Sequence, residues 1–186
     1  MVGNDVVDLE EAKRTSNWER PRYLEKLFTS KELQFIHDCK NPFLMVWRLW
    51  SMKEAAYKLY TQQNPSRFYN PKSFECDISN LNGIVKFKDF ECNVKTQITS
   101  RYIISEARFL DSEMTSKIIE LKGNLPKSHS DILKEALLIQ LSKSHQLSKE
   151  NFKFQKSEFG IPTVLCNSVK IQVSISHHGY FGAYVI

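Results

Sequence analysis

Three short clusters hold the residues whose types and spacing could do chemistry: Gly3-Asn4-Asp5, Trp50-Ser51-Met52-Lys53-Glu54-Ala55-Ala56-Tyr57-Lys58 and Ser174-Ile175-Ser176-His177-His178-Gly179. Asp5 and Glu54 are carboxylates far apart in the chain. Brought together they could hold Mg²⁺, which takes one or two carboxylates and fills its octahedron with water and phosphate oxygens. Lys58 follows Glu54 by one helical turn, so both project from one helix face, where the ammonium could meet the same phosphates as a point charge. The third cluster gathers hydroxyls, imidazoles and a glycine at the end of a strand, a set of donors able to hold a phosphate. Transfer at phosphorus needs mainly positioning and charge neutralisation, which these groups supply.

Each cluster also has a plain structural reading. Glu54 and Lys58 could be a surface ion pair worth ~0.3–0.5 kcal/mol, or Ser51 and Glu54 a capping box. Asp5 could close a turn or cap a helix, and single histidines are more often structural than catalytic. Spacing alone leaves both readings open.

The elements that must position these residues are legible in outline. Residues 2–7 read as a short strand, and 8–19 as a turn and short helix. Thr29-Ser30-Lys31-Glu32 matches a capping box, predicting a helix from Ser30 to about His37. Pro42 opens a helix whose apolar positions Phe43, Val46, Trp47, Trp50 and Tyr57 recur at helical spacing to about Tyr60. A polar loop over 62–72 precedes β-prone runs at 73–78, 83–87, 91–98 and 101–107. Residues 110–129 have no clear period. Leu133, Leu137 and Leu141 predict a helix over 131–144, and strands follow at 152–155, 163–166, 170–175 and 181–186. This order predicts an α+β fold with mostly antiparallel sheets, in two units of similar plan that divide between Phe109 and His129.

Composition excludes several classes. The chain has 186 residues, 41% hydrophobic and 25% charged, an ordinary globular composition with enough apolar content for a sizeable core. The net charge of +5 suits either solubility or an anionic partner, and no basic block singles out nucleic acid. Cys39, Cys76, Cys92 and Cys166 form no CxxC pair, which argues against zinc or disulfides and fits a reducing cytoplasm. The first residues lack a basic region followed by an apolar run, and no apolar run reaches the ~20 residues that span a bilayer, so neither a signal peptide nor a membrane partner is expected.

In type and order, the clusters resemble the signature of the 4'-phosphopantetheinyl transferase superfamily: a Gly-x-Asp strand, then Trp/Phe-x-x-Lys-Glu-Ala-x-x-Lys. Trp50 comes 45 residues after Asp5, and the intervening Arg22 to Leu33 resembles the family's Arg-Phe…Phe-Thr/Ser-x-x-Glu segment. The resemblance implies the family's fold: two similar α+β halves with mostly antiparallel sheets, related by a pseudo-twofold. It implies transfer of the phosphopantetheine arm of coenzyme A to a serine of an acidic acyl or peptidyl carrier protein, with Mg²⁺ as cofactor. Fatty-acid, polyketide, peptide-synthetase and pigment pathways all remain open. By the same carry-over, Asp5 and Glu54 hold Mg²⁺, with Asp8 as a further carboxylate, and Glu54 lies near the attacking hydroxyl. Lys58 contacts the CoA diphosphate, and Ser176 and His177 the 3'-phosphate.

The order of the segments is unusual. Strands up to Ala107 resemble the second half of the surfactin-synthetase-activating type, whereas Ile132 to Ile186 resembles its first half. This implies one catalytic unit made of 1–109 and 110–186 in permuted order, a monomer that is a pseudo-dimer. Adjacent termini make such a cut physically tolerable. The alternative is the shorter holo-acyl-carrier-protein synthase type, a homotrimer, which leaves much of 84–147 unaccounted for. Two positions depart from the larger type: Val7 stands where it carries a second acid, and Ile161 where its Gly-Lys-Pro turn carries lysine. Val7 motivates a further alternative, a catalytically inactive module that binds CoA or a carrier. The basic charge motivates another, a nucleic-acid-binding domain.

Overall fold

The structure, a computed structural model, describes residues 1–67, 69–121 and 128–186. The first strand, β1 (Gly3–Asp8), runs straight into helix α1 (Leu9–Thr15). Asp8 caps that helix, its Oδ1 accepting from the N–H groups of Glu10 and Glu11. Helices α2 (Tyr23–Leu27) and α3 (Ser30–Asp38) follow. α3 starts where its capping box requires, with Thr29 as N-cap and Glu32 closing the reciprocal bond. Next comes α4 (Pro42–Gln63), capped by Asn41 and opened by proline.

Strands β2 (Glu75–Ser79), β3 (Asn82–Phe87), β4 (Phe90–Ile98) and β5 (Tyr102–Arg108) complete a five-stranded sheet in the order β1-β5-β4-β3-β2. All its pairings are antiparallel. α4 lies across it and buries Val46, Leu49, Met52, Ala55, Ala56 and Leu59. Each large apolar side chain so buried contributes ~1.5–3 kcal/mol, which outweighs the modest helix propensity of the aromatic-rich first turns.

The remaining chain forms β6 (Lys117–Glu120), α5 (His129–His145), β7 (Phe152–Lys156), β8 (Pro162–Cys166), β9 (Val169–Gln172), β10 (Ser174–His178) and β11 (Phe181–Val185). They build two three-stranded sheets, β10-β11-β6 and β7-β8-β9, both antiparallel. Leu133, Leu137 and Leu141 of α5 are buried in a second core with Phe152, Val164 and Val173. A small third cluster of Val6, Ile104, Phe181 and Ala183 joins the two parts. The observed fold is therefore α+β with antiparallel sheets, as the pattern predicts.

Several elements differ from the sequence reading, among them the short helix α2, for which no element was expected. α4 runs on to Gln63 rather than Tyr60, because Gln62 anchors the extra turn: its Oε1 accepts from Val2 N–H and its Nε2 donates to Val2 C=O. The run 170–175 is two strands, not one. Val173 is fully buried between them, and the chain changes sheet there. β6 lies in the stretch that shows no period, where a half-exposed edge strand leaves little alternation to read. Residues 122–127 of the expected dividing stretch, and Phe68 of the polar loop, lie outside the described residues.

Candidate active site

Gly3 sets the geometry. A Cβ there would overlap the backbone carbonyl of Ala55, so β1 and α4 approach as closely as glycine allows. Side chains alternate along a strand, so Asp5, two residues on, faces the same helix. Lys58 Nζ lies 2.9 Å from Asp5 Oδ1 and also donates to the Asn4 carbonyl at 2.9 Å. Both side chains are partly buried, 28% and 13% exposed for Lys58 and Asp5, so this pair is less screened than a surface bridge. The sequence-level option of a Glu54–Lys58 surface pair gives way to a contact across 53 residues. The capping-box option fails as well: Ser51 is in mid-helix, its hydroxyl on the Arg48 carbonyl and against Ser105 Oγ.

Glu54 sits one turn before Lys58. Burial, and then the neighbouring charge of Asp5, push its carboxyl up to about 7. Asp5 is also raised, by burial, with Lys58 pulling the other way. Holding Glu54 beside the Asp5 charge carries a cost that a shared cation would remove. Among the described residues no group of three or more His, Cys, Asp or Glu is arranged for a metal. The donor set is two carboxylates, which fits Mg²⁺, an ion that retains water and substrate oxygens, and does not fit a full protein cage.

Lys53, beside Glu54, points the opposite way into the core. Its Nζ meets the Glu32 carboxylate at 2.7 Å and donates to the carbonyls of Pro71 and Phe74 at 3.0 and 2.6 Å. Glu32 in turn accepts from the N–H groups of Thr29 and Cys76. Both side chains are wholly buried. This pair ties α3, α4 and β2 together and fixes the rotation of α4 that turns Glu54 outward. The motif thus carries a structural lysine and a site lysine five residues apart.

β10 runs along the free edge of β1 and serves it with side chains. Ser174 Oγ accepts from Asn4 N–H, and His178 Nδ1 accepts from Asp8 N–H, each at 3.0 Å. Asp8 Oδ2 accepts from Tyr180 N–H at 2.8 Å. With the two α1 bonds, its carboxylate takes three backbone donors. Asp8, offered by the sequence as a metal ligand, is engaged in pinning β1 to the β10–β11 turn. Gly179 at that turn has φ +53, and a Cβ there would press on the Asp8 carboxylate.

His177 alternates away from that seam into a cleft of about 240 Å³ that also borders Tyr57, Lys58, Lys156, Phe159 and Ile161. Ser176 is buried and does not line this cleft; its hydroxyl has no partner among the described residues. Burial lowers the His177 pKa, and His129, Lys58, His178 and Lys156 lower it further. The imidazole therefore stands in a convergent positive field, suited to an anion. A larger cleft of about 790 Å³ lies between α1 and the start of α4, by Trp18 and Phe43, and contains none of the chemistry-bearing residues.

Sequence reasoning brought Asp5, Glu54, Lys58 and His177 to one region, and the structure does so. It missed Lys156, His129 and Tyr69, each remote in sequence from any motif. It also missed Ser174 and His178 as seam residues; the alternation Ser-x-Ser-x-His was the available signal.

A profile of the 4'-phosphopantetheinyl transferase superfamily matches residues 1–109, more than half of the chain, and the chain belongs to that family. Among curated relatives, the holo-[acyl-carrier-protein] synthase of Caldanaerobacter subterraneus subsp. tengcongensis is 36% identical over 59 residues. That match covers 32% of this chain and 46% of the relative, so the chain spans about half the length of the curated relative it matches. The Thermotoga maritima holo-[acyl-carrier-protein] synthase crystal structure superposes with a TM-score of 0.45 at 15% identity, covering 91% of this chain and 83% of that one.

Proposed function

We propose that this chain transfers the phosphopantetheine arm of coenzyme A to a serine of an acidic acyl or peptidyl carrier protein, with Mg²⁺. The observation that carries the reading is that Asp5 and Glu54 lie beside Lys58, which itself lines a cleft that His177 also borders. Asp5 and Glu54 would hold Mg²⁺, which supplies neutralisation of charge on the diphosphate. Lys58 exchanges its Asp5 contact for the same diphosphate. His177 faces the 3'-phosphate; Lys156 adds positive charge at the cleft.

The serine hydroxyl is a poor nucleophile until a base takes its proton. Glu54 is that base: raised to about 7, it is poised between its two forms at neutral pH. The serine oxygen bonds to the β-phosphorus of CoA as its proton passes to Glu54. The bond from that phosphorus to the bridging oxygen breaks, and the oxygen keeps the electron pair as adenosine 3',5'-bisphosphate leaves. The chain acts as a monomer, its 1–109 and 110–186 parts forming one unit in permuted order, within the cytoplasm. Support comes from Lys58 of the first part and His177 of the second lining one cleft within a single chain.

The test is intact-mass measurement of apo carrier proteins incubated with the protein, CoA and Mg²⁺. A gain of one phosphopantetheine is expected on at least one carrier. No gain on fatty-acid, polyketide or peptide carriers would contradict the reading.

A further inference from the structure

Tyr69 lies in the stretch between α4 and β2, outside every motif. Its ring stacks on Tyr57 at 4.3 Å between centroids and meets Trp50 edge-on at 6.4 Å. Trp50, Glu54 and Tyr57 lie at i, i+4 and i+7 on one face of α4, so a ring that spans Trp50 and Tyr57 covers Glu54. The Tyr69 hydroxyl is buried, and among the described residues it has no hydrogen bond of ordinary geometry. Its neighbour is the Glu54 carboxylate, one helical turn from both Trp50 and Tyr57 on the face the ring covers. A buried hydroxyl without a partner costs ~1–3 kcal/mol, so its place beside one carboxylate needs a reason.

The same stretch is tied down at two other points. Tyr57 Oη donates to the Ser66 carbonyl at 3.2 Å, and Arg67 donates to the Glu158 carbonyl across the cleft at 2.6 Å. These bonds hold Tyr69 over the helix face, so its position does not depend on a bond to Glu54.

We propose that Tyr69 is a positioning residue: its hydroxyl donates to one oxygen of the Glu54 carboxylate and leaves the other facing Asp5. This rests on the function proposed above. A small rotation of the Glu54 side chain completes the bond when cation and CoA are in place. The carboxylate is then restrained in the orientation that serves both a divalent ion and the incoming hydroxyl. Outer partners of this kind govern affinity and turnover through the ligand they orient.

Tyr69→Phe tests this while keeping both ring contacts. Carrier modification should show kcat reduced about tenfold, with KM for CoA within about twofold, and Mn²⁺ affinity in the presence of CoA weakened about tenfold. Without metal or CoA the thermal midpoint should not fall, because in that state the hydroxyl has no bond to lose. Wild-type-like kcat and Mn²⁺ affinity in Tyr69→Phe would overturn the assignment while leaving the transferase reading intact. A rise in KM alone would overturn it too, since it would make Tyr69 a substrate contact. A wild-type protein that neither modifies carriers nor binds Mn²⁺ would sink the reading and this inference with it.

Discussion

Lys58 Nζ contacts Asp5 Oδ1 at 2.9 Å, joining a mid-helix ammonium to a carboxylate 53 residues earlier on the strand beneath. The contact exists because Gly3 lets β1 lie against α4, and because α4 is rotated so that Glu54 and Lys58 face that strand. In the proposed reaction Lys58 would leave this contact for the CoA diphosphate. Lys58→Met should raise KM for CoA about 10–100-fold, the worth of a charge-assisted bond of ~1.5–3 kcal/mol. Steady-state kinetics with CoA varied checks it; an unchanged KM would remove Lys58 from the diphosphate.

The burial of Glu54 has a consequence for stability as well as for its proposed role. Its carboxyl, raised to about 7 in the fold from an unfolded value of 4.5, binds its proton more tightly when folded. Stability is therefore lost as pH rises from about the unfolded value through about 7. Glu54→Gln should stabilise the protein by ~2 kcal/mol at pH 8, allowing for partial exposure, and by less near pH 5. The same variant should lose nearly all transfer. Urea unfolding at both pH values, beside the mass assay, separates the two effects. A variant that is destabilised at pH 8 would contradict the assigned environment.

The pH profile follows from the same group. At limiting Mg²⁺, kcat/KM should rise with a midpoint near 7 as Glu54 loses its proton, and saturating Mg²⁺ should move the midpoint lower, since a cation favours the carboxylate. A profile flat between about pH 6 and 8 at limiting Mg²⁺ would rule Glu54 out as the base.

Lys53 and Glu32 form a buried pair, so removing one partner strands the other. Lys53→Met should cost ~3–5 kcal/mol, whereas Lys53→Met with Glu32→Gln should cost less than the single change. Thermal midpoints of Lys53→Met, Glu32→Gln and the double variant decide this. A double variant worse than the sum of its singles would deny the pairing.

The long helix, the capping box at Thr29 and the paired strands β2 to β5 were legible because their signals are local. Asp5, Glu54, Lys58 and His177 were legible only as a constellation whose order resembles a family. The break at Val173 was not, since a continuous β-prone run carries no mark of a change of sheet. Asp8 looked like a spare acid because a capping carboxylate and a metal-binding one share a residue type. What separates them is three backbone N–H groups, one of them 172 residues away. Tyr69 and Lys156 reach the site through tertiary packing alone, and no period or spacing announces that.

In the proposed function Asp5 and Glu54 act on one divalent ion with bound CoA. Mn²⁺ binding followed by electron paramagnetic resonance, with CoA present, tests it in the wild type, Asp5→Asn and Glu54→Gln. The expected result is one CoA-dependent Mn²⁺ per chain, weakened at least about tenfold in each variant. Wild-type affinity in both variants would show that the two acids share no ion.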